Sequence, residues 1–132
     1  MTYADTVEAG VGSNSTITRL WTATDNVGNS TTYTQTIAVV DTTAPVADVA
    51  ELDDIIAECS VESITSPTAS DNCAGTISGT TITSFPITAQ GLTVVTWTFE
   101  DDNGNTSTQT QNILINDVTA PVFTTSPADV TV

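Results

Sequence analysis

The chain has 132 residues and a formal net charge of -15 at pH 7: sixteen Asp and Glu stand against one basic residue, Arg19, with no Lys and no His. Such a charge repels a nucleic-acid phosphate backbone and disfavours an anionic membrane surface. It leaves no residue for histidine acid–base catalysis, a lysine Schiff base, a lysine-derived isopeptide crosslink or a His-built zinc site.

Apolar residues make up 39% of the chain, enough for a folded core, and 29 residues are Thr, which favours sheets. Residues 16–24 and 30–40 read as two strands closed by the turn Asp25-Asn26-Val27-Gly28-Asn29. Shorter strands are expected at 53–59, 63–65, 76–81 and 82–87. Residues 93–99 alternate, with Val95, Trp97 and Phe99 on one face. Asp101-Asp102-Asn103-Gly104-Asn105 is a turn in which Gly and Asn can take positive φ. Residues 106–116 form the returning strand, with Ile113 and Ile115 on a common face. About seven strands between turns predict an all-β fold, an antiparallel immunoglobulin-like sandwich. No apolar run reaches the length of a membrane span, so no membrane insertion is expected. The opening Met1-Thr2-Tyr3 lacks the regions of a signal peptide and reads as a cut edge of something longer.

An internal repeat organises these elements. Trp21-Thr22-Ala23-Thr24-Asp25-Asn26 and Gly28-Asn29 resemble Trp97-Thr98-Phe99-Glu100-Asp101-Asp102 and Gly104-Asn105, 76 positions later. The register holds from Gln35 and Gln111 through Asp41 and Asp117 to Pro45 and Pro121. Residues 1–44 are thus expected to be the later part of a preceding repeat, 45–120 one complete repeat, and 121–132 the first strand of a following one. Either the sequence is excised from a longer array, or identical subunits complete each other's edges by strand exchange, with 121–132 as donor. The joints at Pro45 and Pro121 are short, and proline stiffens them. Arg19 has the parity of Trp21 and aligns with Val95. It is expected at a rim, its stem on apolar surface and its head near the Trp21 ring or a carboxylate.

The stretches Trp21 to Pro45 and Trp97 to Pro121, with Ala57-Glu58-Cys59 and Ser70-Asp71-Asn72-Cys73, resemble the hyalin-repeat (HYR) group of immunoglobulin-like domains. The likeness is strongest to tandem copies in secreted and cell-surface proteins of Bacteroidetes-type bacteria. The resemblance implies stalks, adhesin shafts or filaments, outside the cell or on its surface, and no enzyme. Many such copies carry Cys where Val27 and Tyr33 stand here.

Cys59 and Cys73 lie fourteen positions apart within one repeat. A disulfide between them is the expectation, in an oxidising compartment, against two free buried thiols. It would contribute about 3 kcal/mol in the chain-entropy picture. No C-x-x-C spacing marks a redox site.

Carboxylates are the abundant reactive groups. Glu100, Asp101 and Asp102 crowd one turn and do not flank a sugar cleft, so no glycosidase and no catalytic residue is expected. Calcium is the candidate cofactor, though none is required. Its candidate ligands are Asp25, Asp41, Asp71, Asp101, Asp102, Asn103, Asn105 and Asp117; plain turn chemistry is the competing account. Asn14, Asn29 and Asn105 stand in N-glycan acceptor patterns, and Thr6 and Thr42 in strings that resemble Bacteroidetes O-glycan signals.

The reading is therefore a non-catalytic structural repeat that gives length and stiffness and meets neighbouring repeats or identical subunits. The alternative is a carbohydrate- or protein-binding module using Tyr3, Phe85 or Phe123.

Overall fold

The computed structural model of the chain describes residues 1–126 and 128–130. Among them there are nine strands and no helix: β1 Thr2–Ala9, β2 Ser15–Thr24, β3 Ser30–Val39, β4 Val46–Ala47, β5 Ile55–Ala57, β6 Thr68–Asp71, β7 Gly75–Ser78, β8 Gly91–Glu100 and β9 Thr106–Ile115. Hence no helix is long and apolar enough to cross a membrane. Of the expected final strand 121–132, residues 127, 131 and 132 lie outside the described residues, and 121–126 and 128–130 form no strand.

Three sheets form: β1-β2-β3, β4-β6-β7 and β5-β9-β8. Every pairing is antiparallel except β5 with β9, which is parallel from Ile55↔Ile113 to Ala57↔Ile115. The second and third sheets share one core, consistent with an immunoglobulin-like sandwich. The chain crosses between them from β4 to β5, and Gln109 and Gln111 of β9 pin that crossing. Their amide groups donate to the carbonyls of Val49 (2.8 Å) and Asp53 (3.0 Å).

The core follows from the alternation. Val95, Trp97 and Phe99 of β8 are buried with Ile113 and Ile115 of β9, against Ala69 of β6 and the isolated bridge between Val61 and Ile87. Phe85, Ile64 and Ile77 pack at its margin. Gly79 lets the ring of Phe99 close over the chain. A Cβ there would stand 3.0 Å from Phe99 Cε1 and 3.3 Å from the Pro67 carbonyl.

The minor strands depart from expectation. Residues 63–65 are no strand; only Val61 bridges to Ile87. The expected strand 76–81 ends at Ser78, and 82–87 is irregular apart from Ile87. Six strands, not about seven, build the sandwich. They include the short pieces β4 and β6, whose pairing partner lies 24 positions away at Val46↔Ser70.

The first sheet stands differently. Its ten-residue hairpin β2–β3 copies β8–β9, with Trp21 opposite Tyr33 as Trp97 is opposite Gln109. Yet no second sheet covers it among the described residues. Val7, Leu20 and Tyr33 are exposed, and Trp21 is only half-buried. Strand β1 runs along the free edge of β2 through eight residue pairs.

Candidate functional site

The two hairpin turns are built alike, and the Asp that opens each explains why. Asp101 Oδ1 accepts from the amides of Asn103 (2.9 Å) and Asn105 (2.8 Å), and Oδ2 from the Asn105 side chain (2.8 Å). Asp25 repeats this with Val27 (2.9 Å), Asn29 (2.8 Å) and the Asn29 side chain (2.8 Å). The positive φ falls to glycine alone, Gly28 and Gly104; no Asn adopts it. Burial pushes the Asp101 pKa up, but the Asn105 side chain and the amides of residues 103–105 outweigh it, and the net shift is downward. Asp25 is also held low, first by the Asn29 side chain.

The second turn then meets the preceding sheet. Asn103 Nδ2 donates to Ser13 Oγ (2.9 Å) and to Asp41 Oδ2 (2.9 Å), and Asn105 Nδ2 to the Asp41 carbonyl (3.3 Å). Gly12, at φ +58°, sits so close that a Cβ would fall 2.2 Å from Asn103 Oδ1 and 3.0 Å from the backbone carbon of Asp102. Pro45 is buried behind this contact, and its carbonyl accepts from Ser107 Oγ (2.5 Å). The β1–β2 turn is thus docked on the β8–β9 turn with Asp41 between them.

The linker carrying Asp41 has a twin at the far end of the sandwich. The Asp41 amide donates to Asn14 Oδ1 (2.7 Å) and the Thr43 amide to Asp41 Oδ1 (3.0 Å). Seventy-six positions on, the Asp117 amide donates to Gln90 Oε1 (3.0 Å) and the Thr119 amide to Asp117 Oδ1 (2.9 Å). Pro121, unlike Pro45, is exposed.

The expected calcium ligands separate accordingly. Asp25, Asp101 and Asn105 serve their own turns, and Asp117 caps the far linker. Asp41 and Asp71 come together, with ligand atoms of Asp41, Asp71 and Cys73 all within 4.8 Å of one another. Asn103 is bonded to Asp41, and with Asp102 it lines a hollow shared with Gly12, Ser13 and Cys73. Asp71 Oδ1 accepts from the amides of Cys73 and Ala74 (2.8 Å each), while Asp71 Oδ2 and Asn103 Oδ1 are buried without a partner. The unengaged oxygens here belong to Asp71, Asp102 and Asn103. Calcium takes six to eight, so water would supply much of any coordination shell, and sulfur is a poor ligand for so hard an ion.

The disulfide expected between Cys59 and Cys73 is not formed; both thiols are free and exposed. The topology explains this correction. Cys59 follows β5 at the end where β9 finishes, where the Asn116 amide donates to the Ala57 carbonyl (2.8 Å). Cys73 sits in the β6–β7 turn, beside Asn103 where β9 begins. Strand β9 has ten residues, about 33 Å at ~3.3 Å per residue, whereas a disulfide needs Cα atoms within about 7 Å. Fourteen positions of sequence conceal the length of the sandwich.

Of the remaining residues, Thr6 and Thr42 are exposed. Arg19 forms a two-pronged ion pair with Asp5 (Nε–Oδ1 2.8 Å, Nη2–Oδ2 2.8 Å). Its guanidinium lies 4.2 Å from the Tyr3 ring centre and 5.5 Å from that of Trp21, so both expected contacts are made. The hydrogen bond from Arg19 holds the Asp5 carboxyl below its usual range. Tyr3 is thus engaged and Phe85 packs on the core, while Phe123 is 88% exposed.

A comparison with protein families decides the kinship: the HYR-like domain with 4 cysteines matches residues 42–115. The chain belongs to this family. The HYR-like match covers β4 to β9, the sandwich itself. HYR-like domains are non-enzymatic repeat modules of extracellular proteins. Only Cys59 and Cys73 stand in the matched span here. No curated protein and no solved structure matches the chain.

Sequence reasoning missed Gly12 and Ser13 as docking residues. Gly12 had one available signal: a glycine beside Asn14 in a turn, which marks a position for positive φ or close approach.

Proposed function

We propose that the chain is a non-catalytic structural repeat of an extracellular stalk, adhesin shaft or filament on a bacterial surface, whose units stack end to end and set length and stiffness. One observation carries this reading. The same linker bonds occur at both ends of the sandwich, 76 positions apart, and the first linker is clamped by a turn-on-turn contact. Short proline joints held by side-chain bonds make a rod of quasi-one-dimensional units. The bare β1–β3 sheet and the exposed Val122 and Phe123 are the surfaces that a neighbouring repeat, or an identical subunit by strand exchange, would cover.

The test is small-angle scattering on chains extended by whole 76-residue periods. Each added period should lengthen the particle by a constant increment of about 35–40 Å, from ten-residue strands at ~3.3 Å per residue plus the joint. Growth as the square root of the number of units, the law of a flexible chain, would refute it.

A second reading concerns the hollow at the joint. The unpartnered Asn103 Oδ1 in that hollow, with Asp102, and the unpartnered Asp71 Oδ2 beside Cys73 and Asp41 at its edge favour a weak calcium site there, with water completing the shell. A melting midpoint unchanged by 10 mM calcium would end this reading.

A further inference from the structure

We propose that Cys59 of one unit forms a disulfide with Cys73 of the next, so that each joint of the array carries a covalent staple. The inference rests on the end-to-end reading above and adds a bond to it.

The two cysteines lie at opposite ends of one sandwich, so neither can serve the other within a unit. Each lies at a joint. At the far joint, Glu58 sits directly on the linker: its carbonyl accepts from Gln90 Nε2 (3.3 Å), and its carboxylate accepts from Thr119 Oγ1 (2.8 Å). Cys59 is the next residue. At the near joint the corresponding positions are Asn14 for Gln90, Asp41 for Asp117 and Thr43 for Thr119, and the linker bonds are the same.

Superposing one joint on the other gives the consequence. In a unit placed before this one, the counterpart of Glu58 would lie on Asn14 and Thr43, with the counterpart of Cys59 beside it. Cys73 stands at this same joint, its sulfur within 4.8 Å of an Asp41 carboxylate oxygen and in one hollow with Gly12 and Ser13, the residues adjoining Asn14. The two thiols that face solvent singly would face each other in the array.

The bond would form by thiol–disulfide exchange with a small external disulfide such as glutathione disulfide. The first thiolate attacks it and releases one reduced thiol. The second thiolate attacks the mixed disulfide and releases another. The protein loses two protons and two electrons, and the external disulfide is reduced to two thiols.

The experiment uses the full chain with one period duplicated in register, residues 41–116 repeated once after position 116, and with Thr88→Gly and Ala89→Ser in the first copy so that the new joint keeps the Gly12–Ser13 seat. In the forward variant, Cys73→Ser in the first complete unit and Cys59→Ser in the second leave Cys59 facing the second unit's Cys73. The reverse variant keeps the other two cysteines. Both are equilibrated in a glutathione redox buffer, and thiols are counted by intact mass. The forward variant should close, losing 2 hydrogens, at least tenfold more completely than the reverse. The unmodified 132-residue monomer should keep both thiols. Equal closure of both variants overturns the proposal, as does an open forward pair in a chain whose circular dichroism shows intact strands and whose scattering shows a two-unit rod. If the scattering shows no rod, the end-to-end reading falls with it.

Discussion

Ile113 and Ile37 occupy the same position in the two hairpins, 76 residues apart, and the same substitution at each separates sequence equivalence from burial. Ile113 is 0% exposed inside the sandwich, whereas Ile37 lies half-buried on the uncovered sheet. Ile113→Ala removes three carbon groups at ~0.8 kcal/mol each, about 2.4 kcal/mol of transfer energy. The cavity left between two closed sheets adds to this, giving about 3–4 kcal/mol. Ile37→Ala opens no closed cavity and removes partly solvated groups, so its cost is about 1 kcal/mol or less. Urea unfolding in a Trp21→Phe background, with Trp97 fluorescence as the reporter, measures both effects on the sandwich. With a slope of about 1 kcal/mol per molar for a unit this small, Ile113→Ala should lower the midpoint by about 3 M and Ile37→Ala by under 1 M. Equal shifts would show that β1–β3 shares a single closed core with the sandwich, and the picture of an uncovered sheet docked only through its turn would be wrong.

Gly12→Ala should loosen the joint without unfolding the sandwich, because the added carbon meets Asn103 Oδ1 and the Asp102 backbone; scattering should show a broader interdomain distribution while the Trp97 midpoint stays fixed. Gly79→Ala should destabilise the sandwich by about 1–3 kcal/mol, since the methyl presses on the Phe99 ring and the Pro67 carbonyl; an unchanged urea midpoint would contradict that contact. Asp101 has a folded pKa below its ordinary 3.8, so its contribution is complete above that value and is lost as pH falls through the lower folded pKa. Melts between pH 5 and 2 should therefore show less acid-induced loss in Asp101→Ala than in the unaltered chain. Calcium at 10 mM should raise stability by about 1.4 kcal/mol if it binds at the Asn103 hollow and the adjoining Asp71 with a dissociation constant near 1 mM, and Asp71→Asn should remove the effect.

The two long hairpins were legible because alternation and turn chemistry agree in them. Val95, Trp97, Phe99, Ile113 and Ile115 all proved buried, as their spacing required. The Trp–Gln pairs were visible only as matching letters. In the fold Trp97 Nε1 donates to Gln111 Oε1 (3.3 Å) and Trp21 Nε1 to Gln35 Oε1 (3.0 Å), so the repeat preserves a bond as well as a pattern. The short strands were illegible for the opposite reason. Val46–Ala47 and Thr68–Asp71 are too brief to show a period, and distant pairing alone makes them strands. Strand β1 alternates weakly and gains its length from a free edge of β2. The cysteine pairing failed because separation along the chain is no guide to separation along a sandwich.

The polar residues carry the connection between fold and joint. Among the described residues Asp101 is the sole charged one in the buried set, and it is spent on shaping one turn rather than on a ligand. That turn presents Asn103 and Asn105 at a fixed angle, and these two side chains grip Asp41. The copy at Asp25 shapes an identical turn whose Val27, in place of Asn103, is 84% exposed and grips nothing. A turn held this rigidly is more than chain reversal requires, because glycine alone would reverse the strand. In the proposed array its rigidity would hold the preceding unit's linker at a set angle. In the proposed array the stiffness would then reside in the hydrogen bonds that Asn103 and Asn105 make to Asp41 and Ser13, which water competes for at an exposed joint. A covalent link at the same place would resist sustained pulling, which those bonds alone would not.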